Sequence, residues 1–299
     1  MANRHAGGLA DIFKPLALAA LLTTERPTLY AETHAGNAVH PEQAPQPGTV
    51  PAPRDPVTER VHGVARFLEA MDRDPRLGTS SYGGILREHI SGSATIPGSP
   101  AVAMAVLRDH ATYLLCDVDS DSTADIERWA VITGLSDRVA TVTADGLRAV
   151  GRRVLSGSAD PVSTFVHVDP YDPLAVGADG VSAVELTRSL IAEGVGVMYW
   201  YGFDAPAHHA WAAEELAGGD VPLWCGVAMA TDAEGGTRDD GDLGAATTPG
   251  TGSGVVCANI TADATERCEL LGHALADGYA GVPLPSGEPG GLAFTVVGL

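Results

Sequence analysis

The sequence predicts an α/β domain built around a mostly parallel sheet, and three observations carry that reading. Beyond residue 100, short β-branched apolar runs alternate with segments of helical period, as in successive βαβ units. Four strand-like runs end in or beside an acid: Glu32, Asp117, Asp145 and Asp169. The run Phe165-Val166-His167-Val168 then breaks at Asp169-Pro170-Tyr171-Asp172, where the chain must turn. Ligands of open α/β sheets sit outside the carboxyl ends of the strands, so an acid and a ring at such an end form a candidate site. An ordinary Asp-Pro turn would read the same way.

Taken in order, residues 9–24 read as a helix apolar on most faces, with Pro15 kinking or restarting it. The first strand, Thr28–Glu32, runs into Thr33-His34-Ala35-Gly36-Asn37, a glycine-containing turn without a full G-x-G-x-x-G. Residues 45–56 are proline-rich, as in a linker or exposed loop. Helical spacing returns over Val57–Met71, where Val61, Val64, Ala65, Leu68 and Met71 share a face, and Tyr82–Ile90 suggests a second short helix. The chain thus divides into an N-terminal helix and strand (1–44), a helical insertion (45–96) and the remainder of the domain (97–299).

After Pro97-Gly98-Ser99-Pro100, helices are expected at Ala101–Arg108, Thr123–Thr133, Gly146–Leu155 and Ala183–Glu193. Strands are expected at Thr112–Cys116, Val139–Thr143, Thr164–Val168 and Gly196–Tyr201. Two further strands, Pro222–Ala230 and Gly254–Ile260, flank a loop rich in Gly, Thr and Asp, and Gly290–Val297 would close the sheet, antiparallel final strands being common. Any one strand-end acid could simply cap the helix that follows. Four of them would line one edge, where carboxylates accept from ribose hydroxyls and amino groups.

Composition narrows the partners. The 299 residues carry 18 basic and 38 acidic side chains, a net charge of −20. Nucleic-acid affinity comes largely from Lys and Arg neutralising phosphates, so this balance disfavours a nucleic-acid partner. Lys14 is the only lysine. The cysteines 116, 225, 257 and 268 are scattered, with no C-x-x-C, which suits a reducing, cytoplasmic compartment and shows no metal motif. The apolar run Leu16–Leu22 is too short to span a membrane and lacks a cleavage site, so neither a membrane partner nor a signal peptide is expected.

Several stretches together resemble the S-adenosylmethionine-dependent adenine-N6 methyltransferases of large-subunit ribosomal RNA. They are His5-Ala6-Gly7, Ala10-Asp11-Ile12-Phe13-Lys14, Glu32-Thr33-His34-Ala35-Gly36, Pro97-Gly98-Ser99-Pro100, Asp145-Gly146 and Asp169-Pro170, in family order up to about residue 203. The resemblance implies a Rossmann-like class I methyltransferase fold with a mostly parallel seven-stranded sheet and the insertion as a small helical subdomain. It also implies a cofactor site drawn from His5, Lys14, Glu32, His34, Gly36, Ser99, Asp117, Asp145, Gly146, Asp169 and Pro170. Lys14 would meet the methionine end of S-adenosylmethionine; His34, Gly36 and Ser99 would lie along its methionine and ribose. Asp117 would take the ribose hydroxyls, with Asp119 as a rival, and Asp145 would face the adenine amine.

The departures bear on the reaction. Enzymes that methylate the adenine amine carry Asp/Asn-Pro-Pro followed by an aromatic that stacks on the flipped base. Here Asp169-Pro170-Tyr171-Asp172-Pro173 lacks the second proline and brings the ring one position early. The turn therefore reads as a rebuilt substrate half beside a retained cofactor half. Expected catalytic residues are Asp169, Tyr171, Asp172 and Tyr199, with Trp200 and Tyr201 completing an aromatic wall. Two reactions stay open: methyl transfer to a small acceptor, or cyclisation of the cofactor itself to 1-aminocyclopropane-1-carboxylate and methylthioadenosine. Ribosomal RNA methylation and a non-catalytic cofactor-fold binding protein are the alternatives. Neither pyridoxal phosphate nor a metal is expected.

Overall fold

A computed structural model describes residues 10–41, 61–172, 176–203, 205–218, 221–232, 252–281 and 290–298. Its strands are β1 (Leu29–Glu32), β2 (Val39–Pro41), β3 (Thr95–Pro97), β4 (Thr112–Asp117), β5 (Val139–Thr143), β6 (Thr164–Val168), β7 (Gly196–Phe203), β8 (Leu223–Asp232), β9 (Gly252–Ala258) and β10 (Gly290–Val296). All but β2 and β3 form one sheet in the order β10-β8-β9-β7-β6-β1-β4-β5. Neighbours from β7 through β5 are parallel, whereas β9 and β10 run against the rest. The sheet is thus α/β and mostly parallel, with eight strands where the resemblance implied seven. The eighth is β10, which pairs antiparallel with β8 from Gly290↔Asp232 to Val296↔Gly226 and covers an edge that would otherwise expose unpaired backbone groups.

Both faces of the central strands are covered, which is why their sequences read as continuous apolar runs. Along β6 every residue is buried, with Phe165 facing one core and Val166 and Val168 the other. The first core lies under α1 (Ala10–Glu25), the helix Ser99–Leu107 and the long helix Ala262–Gly278. The second lies under the helices Gly146–Leu155, Ala183–Ala192 and Trp211–Leu216. Helix α1 passes Pro15 unbroken, and Ile12, Phe13 and Leu16 through Leu22 are all buried. Its all-round apolarity therefore reflects a position inside the protein. No helix among the described residues is long and apolar enough to cross a membrane.

The chain leaves the domain along β2 and returns along β3, an antiparallel pair that brackets the helical segment between them. That segment holds a π-helical turn Val61–Ala65 and helices Arg66–Arg73, Pro75–Gly78 and Ser81–Ser93. Its Phe67, Ala70, Met71, Leu77, Tyr82 and Leu86 belong to the same core as α1. Tyr279 donates to the Gly63 carbonyl at 2.7 Å, and Arg76 pairs with both Asp74 and Asp277, at 2.6 and 2.7 Å. All four cysteines are free and buried, and burial pushes the thiols of Cys116 and Cys268 up to about 12.

Candidate functional site

The strand order itself marks a crevice. From β1 the sheet grows outward to β4 and β5 on one side and to β6 and β7 on the other, a topological switch point of the kind where α/β folds bind ligands. Because β6, β1, β4 and β5 are adjacent and parallel, Asp169, Glu32, Asp117 and Asp145 follow one another along one edge. Strand β8 runs in the same direction, so Asp232 and Gly252 stand at that edge too; the acidic loop expected between them lies outside the described residues.

The four acids do different work. Asp145 caps the helix Gly146–Leu155, taking the amides of Leu147 at 3.0 Å and Arg148 at 3.4 Å, while its other oxygen takes the amide of Ala178 at 2.6 Å. The capping role open to any strand-end acid is the one it fills, which leaves little of its carboxylate for an adenine amine. Gly146 behind it is obligatory, since a Cβ there would fall 1.8 Å from the Thr33 carbonyl oxygen. Asp119 lies beyond β4 and caps the helix Ser120–Thr133 through the Asp121 amide at 2.9 Å, so it does not share a strand face with Asp117. Asp117 receives the Gly36 amide on one oxygen and the Asp119 amide on the other, both at 2.8 Å. One lone pair on each oxygen remains for further donors. Gly36 takes a left-handed turn at φ +60°, with no heavy atom within 4 Å of where a Cβ would stand.

Glu32 is fully buried. It accepts from Ser99 Oγ, from His167 Nδ1 at 2.9 Å and from Tyr30 Oη at 3.2 Å. Two of the expected cofactor residues, Glu32 and Ser99, are therefore engaged with each other beneath the edge. Tyr30 also lies 3.4 Å from His167 Nδ1, and burial followed by the Glu32 charge raises its hydroxyl well above the usual phenol range. Sequence reasoning missed His167 as a site residue. A lone histidine in an apolar strand looks like core, and its carboxylate partner lies 135 residues away.

Asp169 forms an ion pair with Lys14 at 2.8 Å, their side chains 12% and 18% exposed. Burial alone would raise the Asp169 carboxyl, but Lys14, His167 and His34 outweigh it and hold it below the ordinary range. The Lys14 ammonium also lies 4.9 Å from the Trp200 ring centre, a cation–π contact. His34 is half-buried with its Nδ1 2.8 Å from Thr33 Oγ1; burial lowers its imidazole despite the acids around it. Glu32, His167 and Asp169 bring potential ligand atoms within 4.8 Å of one another. The two carboxylates of the group already have partners, Ser99, His167 and Tyr30 on Glu32 and Lys14 on Asp169.

The expected substrate half differs from the sequence reading. Pro170 is buried, whereas the Tyr171 ring is 99% exposed and Asp172 is exposed, so neither side chain packs into the domain. Nor do residues 199–201 form one wall, because side chains alternate along a strand. Tyr199 and Tyr201 enter one core while Trp200 packs on the other, beside Lys14. Tyr201 is structural: its hydroxyl donates to the His209 carbonyl and touches Cys225 Sγ at 3.4 Å. The Tyr199 hydroxyl is raised by burial and then by Asp169 and Asp172, which removes tyrosinate as a base near neutral pH. Three buried polar atoms near the edge, Tyr199 Oη, Trp200 Nε1 and His167 Nε2, have no hydrogen-bond partner. Buried groups of that kind commonly mark a place for water or ligand. His5 lies outside the described residues.

No family model and no curated protein matches the sequence. Among solved structures, a protein from Legionella pneumophila str. Philadelphia 1, of family model DUF519, is 15% identical at TM-score 0.71 over 98% of each chain. A SAM-dependent methyltransferase from Agrobacterium tumefaciens is 14% identical at TM-score 0.37, over 83% of this chain and 60% of that one. A predicted O-methyltransferase from the same organism is 13% identical at TM-score 0.34, over 82% and 79%. The first likeness establishes a shared fold over nearly the whole chain.

Proposed function

We propose that this chain is an S-adenosylmethionine-dependent methyltransferase with a Rossmann-like class I fold that acts on a small molecule. The observation that carries the reading is the ion pair of the sole lysine, Lys14, with Asp169 at the switch-point crevice of a sheet ordered β5-β4-β1-β6-β7. Among the described residues, Lys14, Glu32, Gly36, Asp145 and Asp169 of the motifs that resemble the ribosomal RNA adenine-N6 methyltransferases lie at or beside this edge, which supports their reading as cofactor residues.

The residues present fit the cofactor. Lys14 offers a cation for an α-carboxylate, Asp117 keeps lone pairs for vicinal hydroxyls, and the space before Gly36 is open. Bound there, S-adenosylmethionine would supply an electrophilic methyl group on its sulfonium. Methyl transfer asks the protein mainly for alignment, and an ionised Asp169 can accept a hydrogen bond from an acceptor N–H or O–H and so orient its lone pair. Cyclisation asks for more, namely removal of a proton from an unactivated carbon. Tyr199 is raised out of the tyrosinate range, and Asp169 is held low and paired with Lys14, so neither of these two is a base of the required strength.

RNA as acceptor is opposed by the charge of −20. The test is incubation of the purified protein with methyl-labelled S-adenosylmethionine, alone and with small amine or hydroxyl acceptors. S-adenosylhomocysteine released only with an acceptor supports the reading. Methylthioadenosine without acceptor would instead point to cyclisation, and label in naked ribosomal RNA would overturn the small-molecule assignment. Lys14→Ala should weaken cofactor binding about 10- to 100-fold, as expected for a charge-assisted hydrogen bond, by calorimetric titration.

A further inference from the structure

Lys14 and Asp169 are each other's ion-pair partner at the crevice. In the structure each holds the other at 2.8 Å, both side chains mostly buried. Yet the reading above asks Lys14 to meet a cofactor carboxylate and Asp169 to meet a methyl acceptor, and the present inference rests on that reading. A buried ion pair is weak evidence of a stability role, because desolvation offsets most of its attraction. This one joins the first helix, α1, to the turn after β6, 155 residues away.

We propose that Lys14 and Asp169 form an exchange pair that makes the site select for a carboxylate-bearing cofactor: the carboxylate takes Lys14, and Asp169 is thereby released to receive the acceptor. The ligand's carboxylate replaces that of Asp169 as the counter-ion of the same ammonium, so no charge is left unpaired at the lysine. Asp169 is not abandoned either. His167, tied to Glu32 from the core side, lies beside it, the potential ligand atoms of the three residues falling within 4.8 Å of one another. Trp200 gives the ammonium a second surface to rest against during the exchange. The consequence is compulsory order: acceptor affinity is low until the cofactor is bound. A sulfonium lacking the carboxylate would occupy the crevice without arming it.

The coupling has a sign that simple contact loss does not. Removing the Asp169 charge should tighten cofactor binding, since the ligand no longer competes for Lys14. The experiment is calorimetric titration of the full chain with S-adenosylmethionine, and with its decarboxylated form, for wild type, Asp169→Asn, Lys14→Ala and the double variant. The exchange predicts tightening by Asp169→Asn of about fivefold or more, the lower range of couplings between sites. That gain should vanish in the Lys14→Ala background and with the decarboxylated ligand. Equal tightening in both backgrounds would mean plain charge repulsion and would overturn the exchange, as would no tightening in wild type. If Asp169→Asn fails to fold, Asp169→Ser removes the same charge and carries the same outcomes. Should wild type bind no S-adenosylmethionine, the cofactor reading falls and the exchange with it; binding without coupling overturns the exchange alone.

Discussion

Asp169 shows how one carboxylate can bear on both stability and chemistry. Burial disfavours its charge, yet Lys14, His167 and His34 bring its titration below that of an ordinary aspartate. In the unfolded chain it titrates near about 3.9. A group whose folded value is depressed adds stability that is fully present above the unfolded value and is lost as the pH falls through the folded one. The stability difference between wild type and Asp169→Asn should therefore be constant above about pH 5 and shrink below about pH 4. Urea denaturation at stepped pH measures it; a difference that grows on acidification would contradict the favoured ionised state. The Asp169–Pro170 break and Lys14 are legible in sequence because an acid at a strand end and a sole lysine stand out. His167 is not, because its meaning comes from β1 and β6 lying side by side, which no local pattern reports. The position of the Tyr171 ring is hidden for a related reason: one missing proline changes the aim of a tight turn, and the sequence does not say in which direction.

At the scale of elements, the strands past the site are shaped by glycine. On β9, Gly254 faces Tyr201 and Gly252 faces Phe203 across the β7 pairing. A Cβ at Gly254 would stand 2.5 Å from the Tyr201 ring, and one at Gly252 would stand 2.4 Å from Phe203. The rings cover the glycines, and Tyr201 cannot swing aside because its hydroxyl is held by the His209 carbonyl. Gly254→Val should therefore destabilise by about 1–3 kcal/mol, the usual cost of overpacking, although valine is the better strand former. Chemical denaturation checks it, and a stabilised variant would mean that the ring yields. The existence of β9 is legible from its Val-Val-Cys run, and so is the order of helices and strands from β4 through β7, because periodicity reports local structure directly; the short β2 and β3 are not. Sheet order is not, since it depends on which strands meet across long stretches of chain. The eighth strand, β10, is legible as the closing run Gly290–Val297, but its pairing with β8 is displayed only by the folded sheet.

At the scale of the whole molecule, net negative charge is what the fold has to withstand. With 38 acidic against 18 basic side chains, the folded chain repels itself, and four of the acids crowd one sheet edge. Exposed pairs such as Arg66–Glu69, Arg87–Asp72 and Arg188–Glu215 oppose this only weakly, since surface ion pairs contribute at most about 1 kcal/mol each. Salt screens both the repulsion and the pairs, the Debye length falling from about 30 Å at 0.01 M to about 8 Å at 0.15 M. The repulsion is the larger and longer-ranged sum, so screening should favour the folded state. Thermal unfolding in sodium chloride should accordingly shift upward by a few degrees between those two concentrations, and choline chloride should act alike if screening rather than cation binding is the cause. A downward shift would mean that the surface pairs outweigh the net charge. The same field governs partners: a polyanion approaching this edge meets repulsion that is strongest at low salt.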